Sequence, residues 1–267
     1  MTYRESIFLV GFGRMGSALL HGWIKEGMTP DSISVIDPFL ESEMPEGVNH
    51  RKDICELTLT SNPTVVVFAV KPQSLDKVVP LYKQYDETNT AFLSIAAGKP
   101  ISYFEKKLKQ GAIIRGMPNT PASIGQGMTV LCSNDRISSD QKTLCTKLMK
   151  SVGEVEWIDN ERLMDAVTGL SGSGPAYVFH MVEAMAEAGI EAGLSAELAM
   201  SLARSTVAGS GALLKENNVP VRILRENVTS PGGTTAAALE VLMGTGGLTQ
   251  LMCETVIRAT ERSKKLA

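Results

Sequence analysis

Three glycines near the start of the chain carry a spacing that does chemistry. Gly11, Gly13 and Gly16 stand in G-F-G-R-M-G, the G-x-G-x-x-G arrangement in which each glycine has its own physical task. Gly11 allows a tight turn, Gly13 has no Cβ and lets a pyrophosphate approach the backbone, and Gly16 permits close packing of a helix on a strand. The unpaired N–H groups of the helix that follows face the phosphates, so Phe12, Arg14 and Met15 count with the turn. Asp37 lies 21 residues beyond Gly16, where a carboxylate meets the ribose hydroxyls of a dinucleotide. The set predicts dinucleotide binding.

Three further stretches cluster small residues where helices begin: 116–127 (G-M-P-N-T-P-A-S-I-G-Q-G), 169–177 (G-L-S-G-S-G-P-A-Y) and 230–235 (S-P-G-G-T-T). In the last, Gly232, Gly233 and Thr234 offer free N–H groups and little bulk ahead of an alanine-rich helix, a setting suited to gripping a carboxylate. Helix capping alone is the other reading of Thr234 and Thr235. Asn119 and Thr120 follow a strand and fall at the carboxyl edge of the sheet, where ligands of such folds bind; a plain turn is the alternative. Lys71 also follows a strand end, either bordering the cofactor or standing in solvent. Ser171 and Ser173 do not form a nucleophile elbow, because Ser173 occupies the place of the last glycine in G-x-S-x-G. They read as the turn into a helix near the substrate.

These residues need a scaffold. Residues 7–10 are a short, continuous apolar run of the kind buried on both faces of a parallel sheet, 64–70 read as another buried strand, and 32–36, 91–95, 112–115, 128–132 and 154–158 read as further strands. Helices are expected over 17–26, 74–85, 101–108 and from Ser138 or Ser139 to about 151, with the polar segment 38–63 holding at most a short helix near 53–57. Strands alternating with helices predict an α/β domain, a Rossmann-type doubly wound parallel sheet over 1–159. From residue 160 on no stretch reads as a strand, and helices are expected over 161–168, 175–192, 195–216, 220–227, 234–243 and 248–266. An all-helical domain over 160–267 follows.

The helix at 175–192 bears on assembly. His180, Glu183, Glu187 and Glu191 form one narrow polar stripe, and the rest of its circumference is apolar. Either its own domain buries it centrally or a second chain covers it, and the limited cover offered by the other helices favours a second chain.

Composition narrows the class. With 267 residues, 43% of them hydrophobic, the chain can build a full core, and 26 basic against 29 acidic residues argue against a nucleic-acid partner or an anionic membrane surface. No apolar segment is long enough for a membrane helix, and residues 1–6 lack a signal-peptide start, so a cytoplasmic protein is expected. Cys55, Cys132, Cys145 and Cys253 show no C-x-x-C spacing, and His21, His50 and His180 stand apart. Reduced thiols and no metal are expected.

Six motifs in order resemble the pyrroline-5-carboxylate reductase family across essentially the whole chain: G-F-G-R-M-G at 11–16, A-V-K-P at 69–72, S-I-A-A-G at 94–98, M-P-N-T-P at 117–121, V-T-G-L-S-G-S-G-P-A-Y at 167–177 and S-P-G-G-T-T at 230–235. The resemblance implies a reductase that takes hydride from NADPH or NADH, carried as NADP or NAD, and converts 1-pyrroline-5-carboxylate to L-proline. It implies cofactor contacts at Ala69, Val70, Lys71 and Pro72, at Ala96, Ala97 and Gly98, and at Asn119. It also implies substrate contacts at Gly232, Gly233, Thr234, Asn119 and Ser171, with Thr235 at the reacting centre. The resemblance further implies a helical domain that interlocks with a second chain and often larger rings of dimers, a pentamer of dimers among them. Arg14 departs from the Asn or Gln more usual there. A methyltransferase, a non-catalytic nicotinamide sensor and a β-hydroxy acid dehydrogenase are the competing classes, and turnover of pyrroline-5-carboxylate separates them.

Overall fold

The computed structural model describes residues 6–40, 44–57, 62–216 and 218–266. The signal-peptide expectation rests on residues 1–6, of which 1–5 lie outside that range, and parts of the polar 38–63 segment lie outside it too.

Eight strands form one sheet in the order β3-β2-β1-β4-β5-β6-β7-β8. They are β1 (Ile7–Val10), β2 (Ile33–Ile36), β3 (Asn49–Arg51), β4 (Val65–Phe68), β5 (Ala91–Ser94), β6 (Ala112–Met117), β7 (Gly127–Ser133) and β8 (Gly153–Trp157). Strands β1 to β6 are mutually parallel, and β1, β2, β4 and β5 are buried along their whole length. Successive side chains enter opposite core layers. Ile7, Leu9, Val65, Val67 and Leu93 face α1 (Arg14–Lys25) and α4 (Ser139–Lys150), whereas Phe8, Val66, Phe68 and Phe92 meet Leu75, Tyr82 and Phe104. The buried Trp23 satisfies its indole N–H on the Leu148 carbonyl at 2.8 Å, tying α1 to α4.

Three features depart from the expected pattern. β7 runs antiparallel to β6, Ile114 facing Ser133 in register. Only a 3-10 turn at Thr120–Ile124 joins them, and without a crossover helix the chain must reverse. β3 was not expected, since N-H-R carries no apolar run; it pairs with β2 at the sheet edge, where partly exposed polar residues are tolerated. The helix expected at 74–85 is mostly 3-10: after a turn at Pro72–Ser74, α2 (Leu75–Val78) gives way to Val79–Tyr85, where Pro80 removes a donor N–H.

After β8 the described residues hold no further strand. By contacts the chain divides into Met1–Gly172 with Ala259–Ala267, and Ser173–Arg258. The segment after β8 packs with the first unit because Met164, in α5 (Met164–Val167), is fully buried in the sheet's second core layer. α3 (Ile101–Glu105) follows β5. The second unit holds α6 (Gly174–Glu191), α7 (Ala196–Glu216), α8 (Val221–Asn227), α9 (Thr234–Met243) and most of α10 (Leu248–Lys264), whose last turn belongs to the first unit.

Candidate functional site

β1 pairs with β2 on one side and β4 on the other, so strand order reverses at β1, where open α/β sheets bind ligands beyond their carboxyl ends. Gly11, Asp37 and Ala69 are the residues immediately after these three strands. Gly11 sits at φ +98°, and a Cβ there would stand 2.8 Å from Val70 and 2.9 Å from Ala69. A Cβ at Gly16 would strike the Gly11 carbonyl. Gly13 is different. Its φ of −72° and ψ of −169° suit any residue, and a Cβ would meet nothing within 4 Å. Two of the glycines are therefore required by the chain's own packing, while the third keeps open space beside the start of α1. No side chain caps that helix and no acidic residue stands in its first turn, so its amides are free for an anion, and a dinucleotide pyrophosphate fits.

Asp37 is built into this turn. Its Oδ2 accepts from the Phe12 N–H at 2.6 Å and its Oδ1 from the Phe39 N–H at 2.8 Å. Its own N–H donates to the Arg51 carbonyl at 3.1 Å, and His50 donates Nε2–H to the Asp37 carbonyl at 3.0 Å. The edge strand β3 thus brings the backbone of Arg51 beside Asp37, while the half-buried Arg51 guanidinium donates to the His50 carbonyl at 2.6 Å. Arg14 instead lines a cavity of about 330 Å³ on the flank of α1, together with Ser17, His21 and Lys25.

The other sheet-edge residues fall in order along the same side. Ala69 donates its N–H to Val10 at 2.8 Å, Val70 packs near Gly11, and the exposed Lys71 precedes the turn opened by Pro72. After β5, Ala96 is buried, Ala97 exposed and Gly98 held at φ +75°. Asn119 uses its whole side chain: Oδ1 accepts from the Met128 N–H at 2.9 Å, and Nδ2 donates to the Ser171 carbonyl and hydroxyl at 3.4 and 3.3 Å. Residues 52 apart in sequence are thereby brought together.

The stretch read as a helix-entry turn ahead of α6 is a π-helix at Thr168–Gly172. A Cβ on Gly172 would stand 2.5 Å from Met117 Cε, so any larger residue there would have to push the end of that flexible side chain aside. Such turns recur at functional sites. Sequence reasoning also passed over Arg115, which is 5% exposed and pairs with Glu161 at 2.9 Å; the same Glu161 oxygen accepts from the Ile101 N–H at 2.8 Å. A lone arginine within A-I-I-R-G-M was the available signal, because a buried charge requires a partner.

In the second unit, Gly233 is the N-cap of α9, which puts Thr234 and Thr235 inside the first turn rather than at the capping position. Gly232 is at φ +71° with open space around it, and a Cβ on Gly233 would collide with Ser230 Oγ. The amides at this helix start carry no side-chain cap and no acidic neighbour. On α6 only Ala186 is buried, whereas Val178, Phe179, Met181, Met185 and Ile190 are 38–63% exposed. The helix is therefore not the buried centre of its own protomer.

Among the described residues no group of three His, Cys, Asp or Glu could hold a metal ion, and no helix is long and apolar enough to cross a membrane. Burial pushes the Cys132 and Cys145 thiols up to about 12.

Residues 161–266 match the family described as pyrroline-5-carboxylate reductase dimerisation, and residues 6–98 match the NADP oxidoreductase coenzyme F420-dependent family. The chain is 34% identical to the pyrroline-5-carboxylate reductase of Methanosarcina acetivorans, covering 98% of both chains, and 38% identical to that of Synechocystis sp., covering 97% of both. Among solved structures it is similar to a pyrroline-5-carboxylate reductase from Coxiella burnetii, with TM-score 0.91, 36% identity and 99% of both chains covered. The Plasmodium falciparum pyrroline carboxylate reductase with NADP bound aligns at TM-score 0.82 and 32% identity, over 100% of this chain and 99% of that one.

Proposed function

The chain belongs to the pyrroline-5-carboxylate reductase family, and from that we propose that its glycine turn, sheet edge and α9 turn divide the work of one reductive reaction. The protein is a nicotinamide-dependent oxidoreductase that reduces 1-pyrroline-5-carboxylate to L-proline. The cofactor supplies the hydride. It adds to the carbon of a C=N bond whose nitrogen is already protonated, leaving a secondary amine, so positioning outweighs acid–base machinery.

In this reading Gly13 leaves room for the pyrophosphate and the first-turn amides from Arg14 hold it. Asp37 keeps lone pairs for the ribose while fixing the turn through Phe12. Arg51, with its backbone bonded to Asp37, is better placed than Arg14 to take a 2′-phosphate, which favours NADPH while NADH remains usable. Ala69 to Pro72 and Ala96 to Gly98 line the cofactor along the edge, and Asn119, braced on Ser171, borders cofactor and substrate. The amides of Gly232, Gly233 and Thr234 take the substrate carboxylate, and the Thr235 hydroxyl meets the ring nitrogen.

The chain self-associates through its dimerisation domain. A dimer that builds further into a pentamer of dimers, in the cytoplasm, completes the proposal. The single observation carrying the reading is likeness at 34–38% identity along the full chain, joined to a glycine, Gly13, that no described residue requires. Mixing the protein with NADPH and pyrroline-5-carboxylate should deplete the reduced nicotinamide and form proline. Protein that binds NADPH yet leaves the imine unreduced would overturn the proposal.

A further inference from the structure

We propose that the C-terminal turn is a positioning device for the cofactor edge of the sheet, with Ser263 and Leu266 as its two grips. This rests on the reading of residues 96–98 as part of the cofactor site.

Ser263 is only 5% exposed, and its hydroxyl donates to Asp165 Oδ1 at 2.7 Å. Asp165 belongs to α5, which runs straight into the π-helix that presents Ser171 to Asn119. Leu266 lies against the other flank: a Cβ on Gly98 would stand 3.1 Å from the Leu266 carbonyl oxygen and 3.4 Å from its Cβ. The two grips are one turn, since the Leu266 N–H donates to the Ser263 carbonyl at 3.0 Å. Gly98 is buried while its neighbour Ala97 is exposed, and its φ of +75° excludes most other residues.

The turn thus holds the loop after β5 and the element braced on the loop after β6. Both loops leave carboxyl ends of strands, where a shift of a few tenths of an ångström moves a bound ring. Removing the Ser263 hydroxyl leaves a half-buried carboxylate short of a hydrogen bond, so α5 relaxes. Removing Leu266 uncovers Gly98, whose loop is then held only at its two ends, by β5 and by the Ile101 N–H bond to Glu161.

The test uses the full-length enzyme, a variant ending at Lys265, Ser263→Ala and Ser263→Thr, with NADPH affinity, both KM values and melting temperature measured for each. The expected result is a KM and Kd for NADPH raised about five- to tenfold in the shortened and alanine variants, with the imine KM within about twofold and native affinity restored by threonine. Unchanged NADPH affinity in Ser263→Ala would overturn the proposal even if the shortened chain failed to fold. Ala97→Glu checks the premise separately, because it places a charge on the exposed side of the loop. If that variant binds NADPH normally, the 96–98 loop is not at the cofactor and the proposal falls with it.

Discussion

The backbone N–H of Phe12 donates to Oδ2 of Asp37 at 2.6 Å, so the carboxylate that closes β2 also fixes the turn that closes β1. Asp37 then has two tasks that a substitution can separate. Asp37→Asn keeps an acceptor for Phe12 and removes the charge, which would repel a 2′-phosphate about 4 Å away by a few kcal/mol at an effective dielectric near 20. The ratio of kcat/KM for NADPH over NADH should rise roughly tenfold, about 1.4 kcal/mol. Asp37→Ala also loses the Phe12 bond, and should weaken both cofactors and lower stability by about 1 kcal/mol. Steady-state kinetics with each nucleotide and urea unfolding check both outcomes.

Gly13 and Gly16 should respond in opposite ways. Gly13→Val meets open space, so the fold should survive with dinucleotide binding lost, as read by circular dichroism and NADPH fluorescence titration. Gly16→Val strikes the Gly11 carbonyl and should unfold the protein or lower its melting point sharply.

Thr235→Ala should reduce kcat/KM for the imine by roughly 10- to 100-fold, about 1.4–2.7 kcal/mol, with NADPH affinity nearly unchanged. The capping position of α9 is Gly233, so stability should move little. A variant with native kinetics would remove Thr235 from the reaction.

Phe179 is 63% exposed within the protomer, so Phe179→Asp should cost the isolated fold little. Across a two-fold contact the substitution acts twice, and each covered phenyl ring contributes about 2 kcal/mol. Light scattering should show the assembly weakened by on the order of a hundredfold or more, with a species near 28.6 kDa at low concentration.

The buried thiols give a pH dependence with a definite sign. Burial raises Cys145 from 9.0 to about 12, so the folded state holds this proton more tightly than the unfolded chain does. The resulting stability is complete below about pH 9 and is lost as pH rises toward about 12, at on the order of 1 kcal/mol per pH unit. Burial also raises Tyr82, which adds in the same direction above about pH 10. The melting temperature should fall between about pH 9 and pH 11, and iodoacetamide at about pH 8 should leave Cys132 and Cys145 unmodified until the protein is unfolded.

Much of the architecture could be read locally. Ile7 to Val10, Val65 to Phe68 and Ala91 to Leu93 are apolar without interruption, the pattern of a strand buried on both faces. The glycine turn and Asp37 were legible because their spacing encodes a backbone path. β3 was not, since Asn49, His50 and Arg51 become a strand only when β2 offers its free edge. The reversal at β7 was equally hidden, because a strand's apolar pattern is the same in either direction.

What the sequence by itself determined was most of the order of strands and helices, the glycines and the apolar girth of α6, because steric freedom and hydrophobic period belong to the residues themselves. Tertiary structure alone decided that Asp37 bonds Phe12, that Asn119 reaches Ser171, that Arg115 is neutralised by Glu161 and that Leu266 covers Gly98. These pairs are separated by 25 to 168 residues. A hydrogen bond or a van der Waals contact acts only over a few ångströms, so such partners have no signature along the chain until the sheet brings them together.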